Sequence, residues 1–249
     1  MPPVVWGRIM PISSSADPFG LAGAAVLVTG GTSGIGQAIA RAFAAHGADV
    51  TVIGASEAEM PGLSAVTLDL QDRAATAQFM AGLPRLDHLI NAAGIIRRVA
   101  EHDPDVFDQV IDINLSGTMR MCTLARPLLA AARGSIINMA SMLSFFGGGL
   151  APGYAASKGG VAQLTKSLAI AYAGDGIRVN AIAPGWIETP LTQRLRDDQA
   201  RSQAILSRTP MGRWGRPEDI AGPALFLASP LAGFVTGAVL VVDGGYMVT

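Results

Sequence analysis

The stretch from Ser141 to Lys158, SMLSFFGGGLAPGYAASK, places a hydroxyl (Ser141), a phenol (Tyr154) and an amine (Lys158) close together in the chain. Tyr154 and Lys158 are four apart, so on a helix they project from one face. A cation beside a phenol stabilises the phenolate and lowers its pKa from about 10. Such a tyrosine can exchange a proton with a carbinol or carbonyl oxygen near neutral pH, which is general acid–base chemistry. A serine arriving from a neighbouring strand end can hydrogen-bond the same oxygen. Tyr-x-x-x-Lys is also common on plain helix surfaces, so the weight falls on what accompanies it.

A helix over Gly153–Ala173 is expected to carry Tyr154 and Lys158. A strand over Gly134–Ala140 delivers Ser141 at its C-terminal end, the edge where open parallel sheets bind ligands. Far upstream, the apolar run Ala24–Thr29 reads as a strand buried on both faces. It enters Gly30-Gly31-Thr32-Ser33-Gly34-Ile35-Gly36 and then a helix, Gln37–His46. Strand, glycine-rich turn and helix together offer backbone N–H groups and a helix N-terminus to a phosphate. Glycines there let a dinucleotide's pyrophosphate approach the backbone closely.

The second strand, Val50–Ile53, ends at Gly54, Ala55 and Ser56. An acid after this strand would bond the ribose hydroxyls, and a base would receive a 2′-phosphate. Neither is present, and the glycine loop holds no Arg or Lys either, which favours NAD over NADP; Glu57 is near enough to contribute. The third strand, Ala65–Leu68, ends at Asp69-Leu70, where a carboxylate could accept from an adenine amino group or cap a helix over Gln71–Ala81. The fourth, Leu86–Ile90, opens into Asn91-Ala92-Ala93-Gly94, small residues that leave room for a ring or ribose or allow close strand–helix packing. Asp105–Ala132 reads as one long helix or two, interrupted near Pro127. Asn114 lies inside it, a poor helix-interior residue that implies a kink with bound water or a surface position. Strands at Arg178–Ala183 and Ala238–Val242 complete a parallel sheet covered by helices on both faces. Between them, a polar stretch with helical character over Leu191–Leu206, ahead of a helix at Pro217–Leu227, is a candidate lid at about 186–214.

At 249 residues the chain is expected to form one domain from residue 19 onward. Residues 1–18, broken by prolines, read as a poorly ordered extension or an arm onto a neighbouring subunit. Half the residues are hydrophobic and 15% are charged, which suits a protein that buries surface in an oligomer. A net charge of −1 points to neither nucleic acid nor an anionic membrane. No apolar run is long enough to span a bilayer. The single cysteine, Cys122, excludes an internal disulfide and agrees with a reducing, cytoplasmic compartment. His46, His88 and His102 are scattered, so a metal site is not expected.

Thr29-Gly30-x-x-x-Gly34-x-Gly36, Asn91-Ala-Ala-Gly94, Asn114, Ser141, Tyr154-x-x-x-Lys158 and Pro184-Gly185 resemble, in order and spacing, the short-chain dehydrogenase/reductase family. The resemblance implies a Rossmann-type, doubly wound α/β sheet of seven parallel strands, NAD(P) as hydride carrier, and a homotetramer. It makes Tyr154 the acid/base toward a secondary alcohol or ketone, with Lys158 lowering its pKa and binding the nicotinamide ribose. Ser141 would orient the substrate oxygen, Asn114 would hold a water of the proton relay, and Thr189 would receive the nicotinamide carboxamide. Pro184, Gly185, Ile187, Ile35 and Ser33 would complete the cofactor contacts. The departures from the family pattern are Ala92, where a second Asn is common, and Gly54-Ala55.

Substrate-side segments, Gly94-Ile-Ile-Arg-Arg98, Ala140-Ser-Met-Leu-Ser-Phe145 and the stretch from Gln193 to Gly215, are similar to the 2-deoxy-D-gluconate 3-dehydrogenase branch. A sugar acid needs a cation for its carboxylate, and Arg supplies a planar fork. Arg97, Arg98, Arg194 and Arg201 are the candidates, Arg98 and Arg194 foremost. Two rivals are weaker. An NADPH-dependent 3-oxoacyl-carrier-protein reductase would need the absent cofactor-loop cations. A non-catalytic dinucleotide-binding protein would be expected to lack Tyr154 or Lys158.

Overall fold

The computed structural model describes residues 17–249. Its strands are β1 (Ala25–Thr29), β2 (Asp49–Gly54), β3 (Ser64–Thr67), β4 (His88–Asn91), β5 (Ser135–Met139), β6 (Arg178–Pro184) and β7 (Val239–Val242). The α-helices are α1 (Gly34–Ala45), α2 (Arg73–Ala81), α3 (Pro104–Ile111), α4 (Gly117–Ala132), α5 (Pro152–Tyr172), α6 (Gln193–Asp197), α7 (Gln199–Ser207) and α8 (Pro217–Ala228). All seven strands pair in parallel, in the order β3-β2-β1-β4-β5-β6-β7. This is the doubly wound, Rossmann-type sheet.

The alternation of side chains along β1 explains the layering. Val26 and Val28 face α1 and α8, packing with Ile39, Phe43, Ile220 and Ala224. Leu27 faces the other way, into a cluster with Met121 and Leu129 of α4 and Leu168 of α5. A parallel strand buried on both faces needs an unbroken apolar run, which is what AVLVT supplies.

The chain steps outward from β1 to β3, then crosses back to lay β4 on β1's other side. That reversal opens a crevice beyond the C-terminal ends of β1 and β4. Thr29 is level with Asn91, Asn91 with Asn138, and Asn138 with Ala181, so the following loops emerge along one edge.

Three local readings are corrected. α2 starts at Arg73 and is capped by Asp72, whose carboxylate accepts from Ala75 N at 2.9 Å, not by Asp69. Pro127 lies inside an uninterrupted α4. The break between α3 and α4 is instead a π-helical turn, Asp112–Ser116, and Asn114 within it is fully buried. Most of the N-terminal extension, residues 1–16, lies outside the described residues; Asp17 accepts from the backbone N–H groups of Phe19, Leu21 and Ala22.

Candidate active site

The loop after β1 folds tightly onto the loop after β4. Gly30 has φ +65°, and a Cβ there would lie 2.7 Å from the Ala93 backbone. A Cβ on Gly36 would collide with the Gly30 carbonyl, so the loop closes on its own start. Ala93 N donates to Thr29 Oγ1 at 3.3 Å, joining the two strand ends. Ser33 stands at the N-cap of α1 without a side-chain cap bond, which leaves the first-turn N–H groups of Gly34, Ile35 and Gly36 without a side-chain acceptor. Thr189 reaches this turn from the loop after β6: its Cγ2 is 3.3 Å from where a Gly34 Cβ would be. Unoccupied helix-terminal N–H groups, a glycine-lined approach and a neighbouring hydroxyl fit a dinucleotide's pyrophosphate and carboxamide.

At Gly54, the last residue of β2, the missing acid has a steric explanation. A Cβ on Gly54 would lie 2.5 Å from Thr32 Oγ1 and 2.6 Å from its Cγ2, so the Thr32 side chain fills that position. Ser56 and Asp69 are exposed nearby, while Leu70 is buried. Asn91 does not aim its amide at the crevice. Its Nδ2 donates to Asn138 Oδ1 (2.9 Å) and lies 3.3 Å from Cys122 Sγ, bracing β4 against β5 and α4, while its Oδ1 has no partner.

Lys158 is buried in the first turns of α5, and its Nζ donates to Met139 O at 2.7 Å. That nitrogen lies 5.6 Å from the Tyr154 ring centroid and beside Gly94. Ser141 follows β5 in a short turn stapled to the same helix. Its N–H donates to Ser144 Oγ (3.2 Å), which in turn donates to Lys158 O (2.6 Å). Behind Tyr154, the Asn114 amide accepts from Ile95 N (2.8 Å) and donates to Ile95 O (2.9 Å) and Ser157 Oγ (3.1 Å). Ser157 Oγ donates to Tyr154 O at 2.7 Å. The wide π turn is what lets this one buried amide reach both the loop after β4 and α5.

Tyr154, Ser141 and Arg98 line one cavity of about 90 Å³ with Ile35, Gly185 and Thr189. Burial pushes the phenol's pKa up; its hydrogen bond with Ser141 and the Arg98 guanidinium pull it back, and the Glu101 carboxylate adds to the rise. Burial also pushes Lys158 down to about 8. Two cations thus stand near the phenol: Arg98, whose charge draws its pKa back down, and Lys158, 5.6 Å from the ring centroid. Of the other arginines, Arg97 and Arg194 are exposed and do not line the cavity, and Arg201 pairs with Asp198 at 3.2 Å.

The segment between β6 and α8 has a small core of its own, Leu195, Ile205 and Trp214, against which Trp186 packs. Trp186 meets Trp214 and Tyr246 edge-on at 6.0 and 6.2 Å, and Tyr246 in turn stacks near Phe146 and beneath Arg208. Aromatic rings thus tie this segment to the turn after β5.

A family model described as enoyl-(acyl carrier protein) reductase matches residues 30–247. A 2-dehydro-3-deoxy-D-gluconate 5-dehydrogenase from Pseudoalteromonas atlantica is 45% identical, over 93% of this chain and 98% of that one. This chain belongs to the short-chain dehydrogenase/reductase family. Like other short-chain dehydrogenases it is an NAD(P)-dependent oxidoreductase acting on CH–OH groups. Two solved members of the family resemble it throughout. One, from Agrobacterium tumefaciens and named as a 2-deoxy-D-gluconate 3-dehydrogenase, holds NADP (44% identity, TM-score 0.85, 94% of this chain and 100% of that one). The other is a gluconate 5-dehydrogenase from Burkholderia cenocepacia with NADP and tartrate (35% identity, TM-score 0.87, 94% and 98%).

Features of this short-chain dehydrogenase that escaped the sequence include Thr32 as the plug against Gly54, the Trp186–Tyr246 pair, and Glu101, which is 1% exposed and contacts the first turn of α5. Each is a contact between distant segments. The only sequence cue was local to Glu101's partner: α5 opens with Ala151-Pro152-Gly153, which holds no capping side chain.

Proposed function

We propose that the enzyme interconverts a secondary alcohol and ketone on a sugar acid, such as 2-deoxy-D-gluconate or a related keto-deoxy sugar acid. The observation that carries this reading is Arg98 sharing one cavity with Tyr154 and Ser141. A guanidinium there can take the substrate's carboxylate in a bidentate grip and so fix which carbon faces the phenol. The sugar-acid dehydrogenases among the relatives support the same class.

The nicotinamide, bound by the glycine loop, the Asn91–Gly94 backbone and Thr189, would supply the hydride acceptor or donor. In oxidation the Tyr154 phenolate takes the hydroxyl proton, and in reduction the phenol returns it. Ser141 holds the same substrate oxygen, and Lys158, anchored on Met139 O, places a cation beside the ring and the ribose site. Asn114 keeps the loop after β4 and the first turns of α5 in register. The cavity of about 90 Å³ is smaller than ligand sites usually require, which supports reading residues 186–214 as a lid that opens for entry.

NAD is the preferred carrier on this reading, because the loops after β1 and β2, residues 30–36 and 54–60, carry no Arg or Lys; the NADP in two related crystals makes a direct comparison of the two cofactors essential. Exposed apolar side chains, among them Ile170, Phe234 and Val248, suit a homotetramer, to be checked by light scattering. The single buried thiol, Cys122, suits the cytoplasm.

Absorbance at 340 nm provides the test, with NAD and NADP each run against deoxy-sugar acids, neutral polyols and 3-hydroxyacyl thioesters. Turnover of the sugar acids with the higher kcat/KM on NAD is expected. Turnover of acyl thioesters without any sugar acid would discard the assignment.

A further inference from the structure

Glu101 is the only acidic side chain among the described residues that is less than a tenth exposed, and it makes no ion pair there. Both its oxygens are taken by backbone donors: Oε1 accepts from Arg97 N at 2.6 Å and Oε2 from Tyr154 N at 2.8 Å. Tyr154 is the third residue of α5, whose N–H a capping side chain ordinarily satisfies, and Ala151 cannot do so. Glu101 therefore caps α5 from another segment, with its charge at the favourable end of the helix dipole. A Cβ on Gly153 would lie 3.3 Å from Oε2 and 3.2 Å from Phe107, so only a glycine leaves the carboxylate comfortable room.

The loop that presents Arg98 is closed by the same residue. Glu101 N donates to Arg97 O at 3.0 Å, in return for the bond that Arg97 N gives the carboxylate. Val99 N donates to Leu150 O at 2.7 Å with Val99 held at φ +70°, a conformation a β-branched residue rarely adopts unaided. His102 Nε2 adds a contact to Gly149 O at 3.0 Å. Residues 97–102 are thus bolted to the entry of α5 at three points, with the carboxylate at the last.

We infer that Glu101 is a positioning residue that sets the Tyr154 phenol and the Arg98 guanidinium at a fixed separation, by holding the backbone of both with one carboxylate. The inference rests on Tyr154 as the acid/base and Arg98 as the substrate's cation. The groups facing the phenol are Arg98 and Glu101 from the loop after β4, Ser141 from the end of β5 and Lys158 from its own helix. Glu101's negative charge raises the phenol's pKa. Neutralising it should then move the ionisation of Tyr154 to lower pH, a change that follows the charge at 101 and not the melting temperature.

The experiment compares Glu101→Gln and Glu101→Asp with the parent, and Tyr154→Phe as reference. It uses 2-dehydro-3-deoxy-D-gluconate or whichever panel compound has the highest kcat/KM. In Glu101→Gln, one backbone N–H meets an amide NH2 instead of an oxygen. Its kcat should fall about tenfold or more, since small misplacements of reacting groups are costly. The KM for cofactor should stay within about twofold, and the acid limb of the kcat profile should move to lower pH. Hydrogen exchange on the cofactor-free protein should show faster exchange at the Tyr154 amide. Glu101→Asp keeps the charge on a shorter arm, so it should lower kcat while leaving the limb in place. Parent-like kcat and limb in Glu101→Gln would overturn the inference whatever its melting temperature. If that variant does not fold, parent-like kcat in Glu101→Asp would overturn it equally. A fully active Tyr154→Phe would instead sink the acid/base reading itself; an inactive one beside a parent-like Glu101→Gln would sink only the positioning role.

Discussion

Arg98 and Tyr154 raise opposite demands. The guanidinium is half withdrawn from water, and burial lowers its pKa, while the Tyr154 phenol and the Glu101 carboxylate raise it again. A substrate carboxylate would complete that compensation, which is why Arg98 is favoured over the exposed Arg194 on α6. Arg98→Ala should raise KM for sugar acids by about 10- to 100-fold, the range of a charge-assisted pair, and leave KM for neutral polyols near its parent value. An equal rise for both substrate classes would remove Arg98 from carboxylate binding. Tyr154→Phe, which deletes only the hydroxyl, should cut kcat by about a hundredfold or more with cofactor affinity intact, measured by quenching of tryptophan fluorescence.

Secondary structure holds this chemistry in place through bonds that cross between elements. Arg178, the first residue of β6, sends its guanidinium to the end of α8: Nη1 donates to Leu227 O at 2.6 Å and Nη2 to Ala228 O at 2.9 Å. Burial lowers its pKa only to about 10, so it stays charged and complements the helix C-terminus. Arg178→Leu would leave those carbonyls unpaired at a cost of about 2–4 kcal/mol, a fall of roughly 5–10 °C in Tm for a chain of this length. Arg178→Lys should recover only part, lacking the planar fork. Such cross-links mark the boundary of what the sequence could say. The strands, the glycine turn and the Tyr154–Lys158 face were readable because each depends on neighbours within a turn or two. Asn114 was visible as an anomaly, but its π turn was not, because that turn exists to satisfy Ile95 and Ser157 on other segments. The same applies to Arg194, which the resemblance of its segment put forward and which is exposed on α6.

For the molecule as a whole, the packing that makes the sheet continuous also makes its stability depend on acid. His88 opens β4 with Nδ1 2.9 Å from Ser135 Oγ on β5, and burial pushes its pKa down from 6.5 to about 4 despite the opposing Asp87. The folded state keeps His88 neutral where the unfolded chain takes up a proton. Its contribution is therefore complete above pH 6.5 and lost as pH falls toward 4. In His88→Asn, which preserves a hydrogen-bonding atom toward Ser135, urea midpoints should decline less steeply over that window than in the parent. Parallel declines would mean that the imidazole titrates normally in the fold.

The Thr32 side chain against Gly54 restricts the order in which this lineage could acquire an acid at that position. An aspartate introduced at Gly54 first would drive its Cβ into a short, branched neighbour that has no long stem to swing aside. Trimming Thr32 beforehand would open the space at little cost, so one of the two mutational routes is passable and the other passes through a damaged intermediate. A ribose-binding acid at position 54 is in that sense a matter of history: the order of the steps, and not only their sum, decides whether it can be reached.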